Sequence, residues 1–457
     1  MASRRRRGDG GFWDFVKNPL IRKRMEAAAR DRERESSDPT DPETIPTRVA
    51  ELLVSEPDED QLEALRRFGP AALPALVGAL HDPRFHERPY GESVLDGSAL
   101  EVVLQLLEPH GPPEAVAALT PLVRHANRKV RKEAALALGN IGAEDCLEPL
   151  TVALSDGDEY VRSYAVMGLR RGIEAGRASR ALLDAVFEPL ARLLRDPESY
   201  SVCGEAALAL VEIDRDRATR ALLDDHVMSR SNEYVHEVIK AAIEKRIAIP
   251  AARLLRLLDD IRAEASAYPN NYTYGEALYA LAAASDPRAE GLIREAMSWD
   301  DKSLATRASE ALCLLSGVSD PFGVAAGRYD DGGLDALTVP QRHFLLASVF
   351  RFEVDNGGLA QYFVNSSGDD ARAALAGLEA IGANQSASVL RRAMALFGPG
   401  GPSPDRDDRH DQLASLTDEQ DDEMEALTAE FFRDEDRVAL RLLAYAHQHA
   451  SDFREAG

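Results

Sequence analysis

Apolar residues in this chain recur at helical spacing, and between residues 127 and 173 they recur twice in the same order. Asn127-Arg128-Lys129-Val130-Arg131-Lys132-Glu133-Ala134 is followed by Leu138, Gly139 and Ile141. Asp158-Glu159-Tyr160-Val161-Arg162-Ser163-Tyr164-Ala165 is followed by Leu169 and Ile173. Val130 and Val161, Arg131 and Arg162, Ala134 and Ala165, and Leu138 and Leu169 are each 31 residues apart. A fixed period of this size means stacked helical units, each too small to bury its own apolar face. The small Ala is expected to let the two helices of one hairpin approach. Leu138 and Leu169 follow one turn later on the same face.

The same pattern extends outward with less regularity. Equivalent second helices are predicted near Val202, Val235, Tyr274 and Leu304, with insertions at 172–179 and 260–269. A divergent first unit covers Gln61 to Leu80 and is broken by Gly69-Pro70. The next unit shows Leu100, Val103, Leu104 and Leu107 on one face. Asp82-Pro83, Asp196-Pro197 and Asp286-Pro287 suit helix ends. The expectation is an all-α solenoid over residues 48–321, preceded by a basic segment and a Pro-containing linker over 1–47.

Near Tyr329 the repeat stops and a different helical pattern covers 329–457. Pro340 opens a helix at its first turn, with Phe344, Leu345, Val349 and Phe352 available to a core. Asn356-Gly357-Gly358 must break that helix, because Asn and Gly accept positive φ cheaply. A short helix carries Tyr362 and Phe363 as far as Ser366-Ser367-Gly368. Asp369 is expected to cap the next helix, and Asn384 to start another. Further on, Thr417 and Gln420 form a capping box. In the helix they open, Met424, Leu427 and Phe431 make the buried stripe. Asp418, Asp421, Asp422 and Glu425 stand at i, i+3, i+4 and i+7 as one acidic ridge.

Charge sharpens this reading. The chain carries a formal net charge of −24, yet residues 1–35 hold eleven Lys/Arg against six Asp/Glu. Fourteen Asp/Glu and three Arg lie between Asp405 and Asp436. Such a balance argues against wrapping nucleic acid or an anionic membrane and favours basic protein partners. The basic N-terminus, with Arg4–Arg7 and the cluster Phe12, Trp13, Phe15 and Val16, fits three roles: a tail with no fixed partner, a clamp on the acidic body, or an anchor on an anionic surface. Cys146, Cys203 and Cys313 have no ligand-like spacing and are expected to be core thiols in a reducing compartment. No apolar run approaches a membrane span, and a cytoplasmic, bacterial protein is expected, the excess of Arg over Lys being that of a GC-rich genome.

The tandem motif resembles the short bacterial HEAT repeat, whose second helix commonly opens with Asp-x-x-Val-Arg and continues with Ala and Leu. The run Glu353, Asn356-Gly357-Gly358-Leu359, Gln361-Tyr362-Phe363, Asn365 and the later Ile381-Gly382-Ala383 resembles the DNA-mimic protein family typified by DNA-mimic protein 19. That second resemblance implies an all-helical domain and, in its founding type, an acidic surface occupying the DNA-binding site of a transcription factor. The motif residues themselves (Glu353, Asn356, Gly357, Gly358, Gln361, Tyr362, Phe363, Asn365) read as structural, their polar side chains satisfying backbone groups freed at the break.

Function follows as a noncatalytic interaction scaffold, with Asp418, Asp421, Asp422 and Glu425 as candidate contacts to a basic partner, a DNA-binding regulator if mimicry holds. A plain scaffold without mimicry and a HEAT-type metal or chromophore enzyme are the alternatives, and homodimerisation stays open. The enzyme reading finds little to use. The HEAT-like hydroxylases that hold two irons repeat His-Glu four times at equivalent positions, whereas here only His86-Glu87 and His236-Glu237 occur, read as surface histidines. His343 is the lone imidazole near the motif. Asp405, Asp407, Asp408, His410 and Asp411 lack the spaced pattern of a calcium loop. His447 and His449 point to different faces. No metal or cofactor is expected.

Overall fold

The computed structural model describes residues 42–54, 57, 59–86, 98–196, 199–433 and 436–454. The three readings of the basic N-terminal segment and the dipeptide partner Glu87 fall outside them. Among the described residues the secondary structure is helical, with no strand. The chain divides into two compact units, one running from 37 to 280 and the other containing 281–457.

The first unit stacks helix pairs. Its helices are α1 (Ile45–Glu51), α2 (Glu59–Arg67), α3 (Leu73–Leu80), α4 (Ala99–Leu107), α5 (Arg128–Ile141), α6 (Leu147–Ala153) and α7 (Glu159–Glu174). They continue with α8 (Arg180–Leu193), α9 (Tyr200–Ile213), α10 (Arg215–Leu222), α11 (Val235–Glu244), α12 (Ala251–Ile261) and α13 (Asn270–Ala283). The linker predicted to reach residue 47 stops earlier. Pro42–Thr44 forms a 3-10 turn and Pro46 lies in the first turn of α1, where a missing N–H costs nothing.

The repeat motif has a local and a long-range part. Locally, Asn127 and Asp158 cap α5 and α7, each accepting from the backbone N–H two residues on, at 2.9 and 3.0 Å. At longer range, Arg131 donates to both carboxylate oxygens of Asp156, and Arg162 to both of Asp196 at 2.6 and 2.9 Å. The Val-Arg of each repeat thus locks the turn of the next unit, and the Arg162–Asp196 pair is buried. Asp82 and Asp286 instead bind the Arg two residues on in an Asp-Pro-Arg turn, which holds both carboxyls below their usual range.

Ala134 and Ala165 are fully buried, as the pattern requires. A close backbone approach also falls between the successive second helices α5 and α7, where Gly139, Gly168 and Gly172 let backbone meet backbone. A Cβ on Gly139 would sit 2.6 Å from the Gly168 carbonyl carbon, and one on Gly168 would sit 2.9 Å from Leu136 Cα.

The second unit comprises α14 (Ala289–Met297), α15 (Lys302–Leu315), α16 (Pro321–Gly332), α17 (Val339–Val364), α18 (Ala371–Ala380), α19 (Asn384–Ala395), α20 (Arg406–Ala414), α21 (Asp418–Phe431) and α22 (Val438–Gln448). Its apolar core begins well before Tyr329, at Cys313 and Val318, and runs to Phe453. Cys313 Sγ donates to the Leu443 carbonyl at 3.2 Å, and Ser316 Oγ meets His447 Nδ1 at 2.6 Å, so α15 is built into this unit. All three cysteines are buried and outside any disulfide, and burial pushes their thiols up to about 11 to 12.

The central element is α17, opened by a capping box of Thr338 and Gln341 with Pro340 in its first turn. Its core face holds Phe344, Leu345, Ala347, Phe350 and Val354, with Val349 half-buried against it, but not Phe352. Phe350 is fully buried, whereas Phe352 is 40% exposed with its ring edge-on to Phe322. The two positions lie about 200° apart around a helix, so a core on one side leaves the other at the surface.

Candidate functional site

The helix break at the motif is the geometry on which the acidic face rests. Gly357 and Gly358 leave the helical region, and Gly358 adopts φ +80°, a conformation costly for any other residue. The break frees the Leu359 N–H, which donates at 3.1 Å to Thr428 Oγ1 in the middle of α21. A Cβ on Gly358 would lie 3.1 Å from Thr428 Cγ2, so the glycine also admits α21 to this distance. The Asn356-Gly357-Gly358 break thereby positions the acidic helix directly.

The remaining bonds at the break are distributed differently from the expectation. Glu353 accepts from Asn365 Nδ2 at 2.7 Å and from Ser367 Oγ at 2.8 Å, which closes the turn after Val364. Asn356 and Gln361 are exposed, and among the described residues neither side chain bonds a freed backbone group. That task falls to Arg409, whose side chain is 0% exposed. It donates to the carbonyls of Phe363 (2.6 Å), Asn365 (2.9 Å) and Ser403 (2.6 Å), and to Asp369 Oδ1 (2.6 Å). Asp369 is therefore Arg409's partner and not a helix cap. Asp370 occupies the cap position of α18, with no side-chain cap bond. In the sequence Arg409 stands out only as one cation in an acidic run. The usable signal is an Arg four residues after the capping Asp405, one helical turn along from it.

Tyr362 is buried against Phe350 and Phe363. Burial raises its hydroxyl pKa, and that hydroxyl has no hydrogen-bond partner among the described residues.

Helix α21 carries the ridge. Thr417 and Gln420 form the predicted capping box, and Gln420 Nε2 donates to the Leu396 carbonyl at 3.0 Å, tying this end to the end of α19. Met424, Leu427 and Phe431 are buried. On one flank Arg392 binds both Glu423 (3.1 Å) and Glu430 (2.8 Å). On the other, Asp418, Asp421, Asp422 and Glu425 are all exposed, and none pairs with a cation among the described residues. The helix is neutralised along one side and uncompensated along the other.

Other predicted chemistry does not converge. His343 Nδ1 meets the Tyr445 hydroxyl at 3.0 Å, and ten residues of helix place it about 15 Å from Glu353. The acidic stretch from Asp405 is the start of α20 and not a loop. Asp405 Oδ1 accepts from the N–H groups of Asp407 and Asp408, the ordinary work of a helix cap. His447 faces Ser316, whereas His449 lies against the Tyr445 ring with centroids 4.4 Å apart. Among the described residues no group of three potential ligands could hold a metal ion.

His236 corrects a prediction outright. It is 6% exposed and stacked on Tyr272, because its position on α11 faces the neighbouring helices rather than water. Burial drives its pKa down to about 4, from an ordinary 6.5. The unfolded chain therefore takes up this proton first on acidification. The stabilising effect of a neutral His236 is complete above about pH 6.5 and is lost as pH falls toward about 4. Between pH 7 and pH 5 this group should remove about 2 kcal/mol of stability. Urea midpoints of wild type and His236→Phe at both pH values test this, and the variant should lose that part of the slope. Equal slopes would remove His236 as the source.

With this geometry in hand, two family models match. Residues 335–449 match the family described as DMP19-like protein, and residues 97–170 match the one described as HEAT repeats. The first covers α17 to α22 with the glycine break and the ridge, and the second covers α4 to α7. Among solved structures, an engineered protein is similar over 90% of this chain and 99% of its own, at 17% identity and a TM-score of 0.28. No curated protein matches.

Proposed function

We propose that this chain is a noncatalytic interaction scaffold whose DMP19-like domain presents the α21 ridge to a basic partner, in the place DNA would occupy. The observation that carries the reading is the one-sided compensation of α21. Arg392 holds Glu423 and Glu430, while Asp418, Asp421, Asp422 and Glu425 stay exposed and uncompensated. Carboxylates at i, i+3 and i+4 are about 5–6 Å apart. That spacing is comparable to the charge spacing of a phosphate strand and suits Arg and Lys evolved to meet one. The HEAT-like unit supplies a second, separate surface for protein partners.

The test uses the full-length chain as bait in host lysate, beside Asp418→Asn, Asp421→Asn, Asp422→Asn and Glu425→Gln combined. Removing like charges from one helix face changes stability by only a few tenths of a kcal/mol per pair, so the variant keeps its fold. A DNA-binding protein retained by wild type, at least tenfold depleted with the variant and displaced by duplex DNA, is the expected result. Identical partner sets from both baits would reduce the function to a plain scaffold with a solvated acidic face.

A further inference from the structure

The helix break that seats α21 leaves the Asn356 side chain without a task. Asn356 is exposed, and its amide has no hydrogen-bond partner among the described residues. It is also the one asparagine of the chain that is followed by glycine. The same motif holds a second asparagine with a small neighbour, Asn365-Ser366, and fixes it firmly. Asn365 Nδ2 donates to Glu353 at 2.7 Å, and its carbonyl accepts from the Gly368 N–H at 3.0 Å and from Arg409 at 2.9 Å. Asn140 and Asn232 are buried, each with Nδ2 donating to a backbone carbonyl. At Asn356 the backbone is released instead. Gly357 takes φ −154° and ψ 15°, and Gly358 takes φ +80°, so regular helix stops directly after Asn356. The Leu359 N–H, which would bond the Asp355 carbonyl in a continuing helix, is spent on Thr428 Oγ1. A helix end opens locally at low cost, and Gly357 has no side chain to obstruct approach to its own nitrogen.

We propose that Asn356 is a self-modification site, where the side chain closes on the Gly357 nitrogen and is hydrolysed to aspartate and isoaspartate. The Gly357 nitrogen loses its proton and attacks Asn356 Cγ, forming a C–N bond between groups already held side by side. The Cγ–Nδ2 bond breaks and ammonia leaves with that proton, giving a five-membered succinimide. Water then adds to one of the two ring carbonyl carbons and breaks its bond to the Gly357 nitrogen. Attack at Cγ gives aspartate, and attack at the main-chain carbonyl carbon gives isoaspartate. Water is consumed, ammonia is released, and nothing is oxidised or reduced. Either product puts a carboxylate where Asn356 carried an amide. The isoaspartyl product also routes the main chain through Cβ and Cγ, which lengthens it two residues before Gly358. A Cβ on Gly358 would already lie 3.1 Å from Thr428 Cγ2, so the added length falls on the contact that seats α21. The reaction does not depend on what the α21 ridge binds.

The experiment ages the full-length protein in mildly alkaline buffer and follows the tryptic peptide Phe352–Arg372, which holds both asparagines of the motif. Fragment masses locate the amide-to-acid gain at residue 356 or 365, and chromatography separates the aspartyl and isoaspartyl forms. Conversion at Asn356 with isoaspartate present, and Asn365 intact, is the expected result. The native rate should lie within about tenfold of that of the chain unfolded in urea, an opening cost of no more than about 1.4 kcal/mol. Conversion should accelerate with pH, because the attacking nitrogen must lose its proton. Asn356→Gln keeps the amide but would need a larger ring, and it should stay unconverted. In the isoaspartyl fraction the Leu359 amide should exchange with deuterium faster than in fresh protein. Native protein that stays amidated at 356 while the unfolded chain converts would overturn the proposal. So would equal conversion at Asn365, since the free amide and the break would then make no difference. Unchanged exchange at Leu359 would overturn the link to α21.

Discussion

Arg409→Met should unfold the C-terminal unit about 4 kcal/mol more easily than wild type. The substitution keeps most of the buried volume but withdraws every donor from the turn after α17. The buried carbonyl of Phe363 and the half-buried carbonyls of Asn365 and Ser403 then lose their donor, at about 1–3 kcal/mol for each group that neither relaxation nor water rescues. Asp369 contributes little to this loss, since its side chain is 41% exposed and water can replace the guanidinium. Arg409→Lys should be nearly as damaging, because one ammonium cannot reach acceptors fanned around a planar fork. Arg406→Met is the internal control. Arg406 also donates to a carbonyl of this turn, that of Val364 at 3.0 Å, but it is exposed and should cost less than about 1 kcal/mol. Urea denaturation of the three full-length variants tests the ranking, and Arg409→Met as stable as Arg406→Met would remove Arg409 from its assigned role.

Gly168→Ala reverses the sign expected from helix propensity. Alanine in the middle of α7 should gain up to about 1 kcal/mol over glycine. Here the new methyl would fall on the Leu136 carbonyl of α5 and lie 2.9 Å from Leu136 Cα, backbone that no rotamer change can move aside. The two helices must separate, and the Gly172 contact with the Gly139 carbonyl opens with them. A net loss of roughly 3 kcal/mol is expected, at the upper end of overpacking costs. Gly78→Ala provides the contrast within the same unit. Gly78 is helical and exposed with nothing within 4 Å of its would-be Cβ, so the change should stabilise by about 0.5–1 kcal/mol. Thermal melts of both variants decide the point: shifts in the same direction would mean that the α5–α7 crossing is not a tight backbone contact.

These two positions show where sequence reading stops. Gly139 and Gly168 were visible as letters, and the 31-residue period correctly placed their helices. That these two glycines face each other is not legible there, because nothing local says which neighbouring helix a face will meet. The same limit holds for His236, whose neighbours the local sequence does not name. Its dipeptide with Glu237 suggested chemistry or solvent, whereas packing against Tyr234 and Tyr272 made it a buried neutral ring.

The legible features all depend on the chain within a few residues of itself. They are the repeat period, the caps at Asn127, Asp158 and Thr417, the start at Pro340, the break at Asn356-Gly357-Gly358 and the stripe of Met424, Leu427 and Phe431. Each follows from φ preference, from the nearest free N–H or from the 3.6-residue turn. Arg162 on Asp196, Leu359 on Thr428 and Arg409 on Phe363 join residues tens of positions apart, and only packing brings them together. The acidic ridge divides along the same line. Its carboxylates and their alignment can be counted from the letters. Their remaining uncompensated depends on Arg392, which reaches Glu423 and Glu430 across the fold and leaves Asp418, Asp421, Asp422 and Glu425 to the solvent.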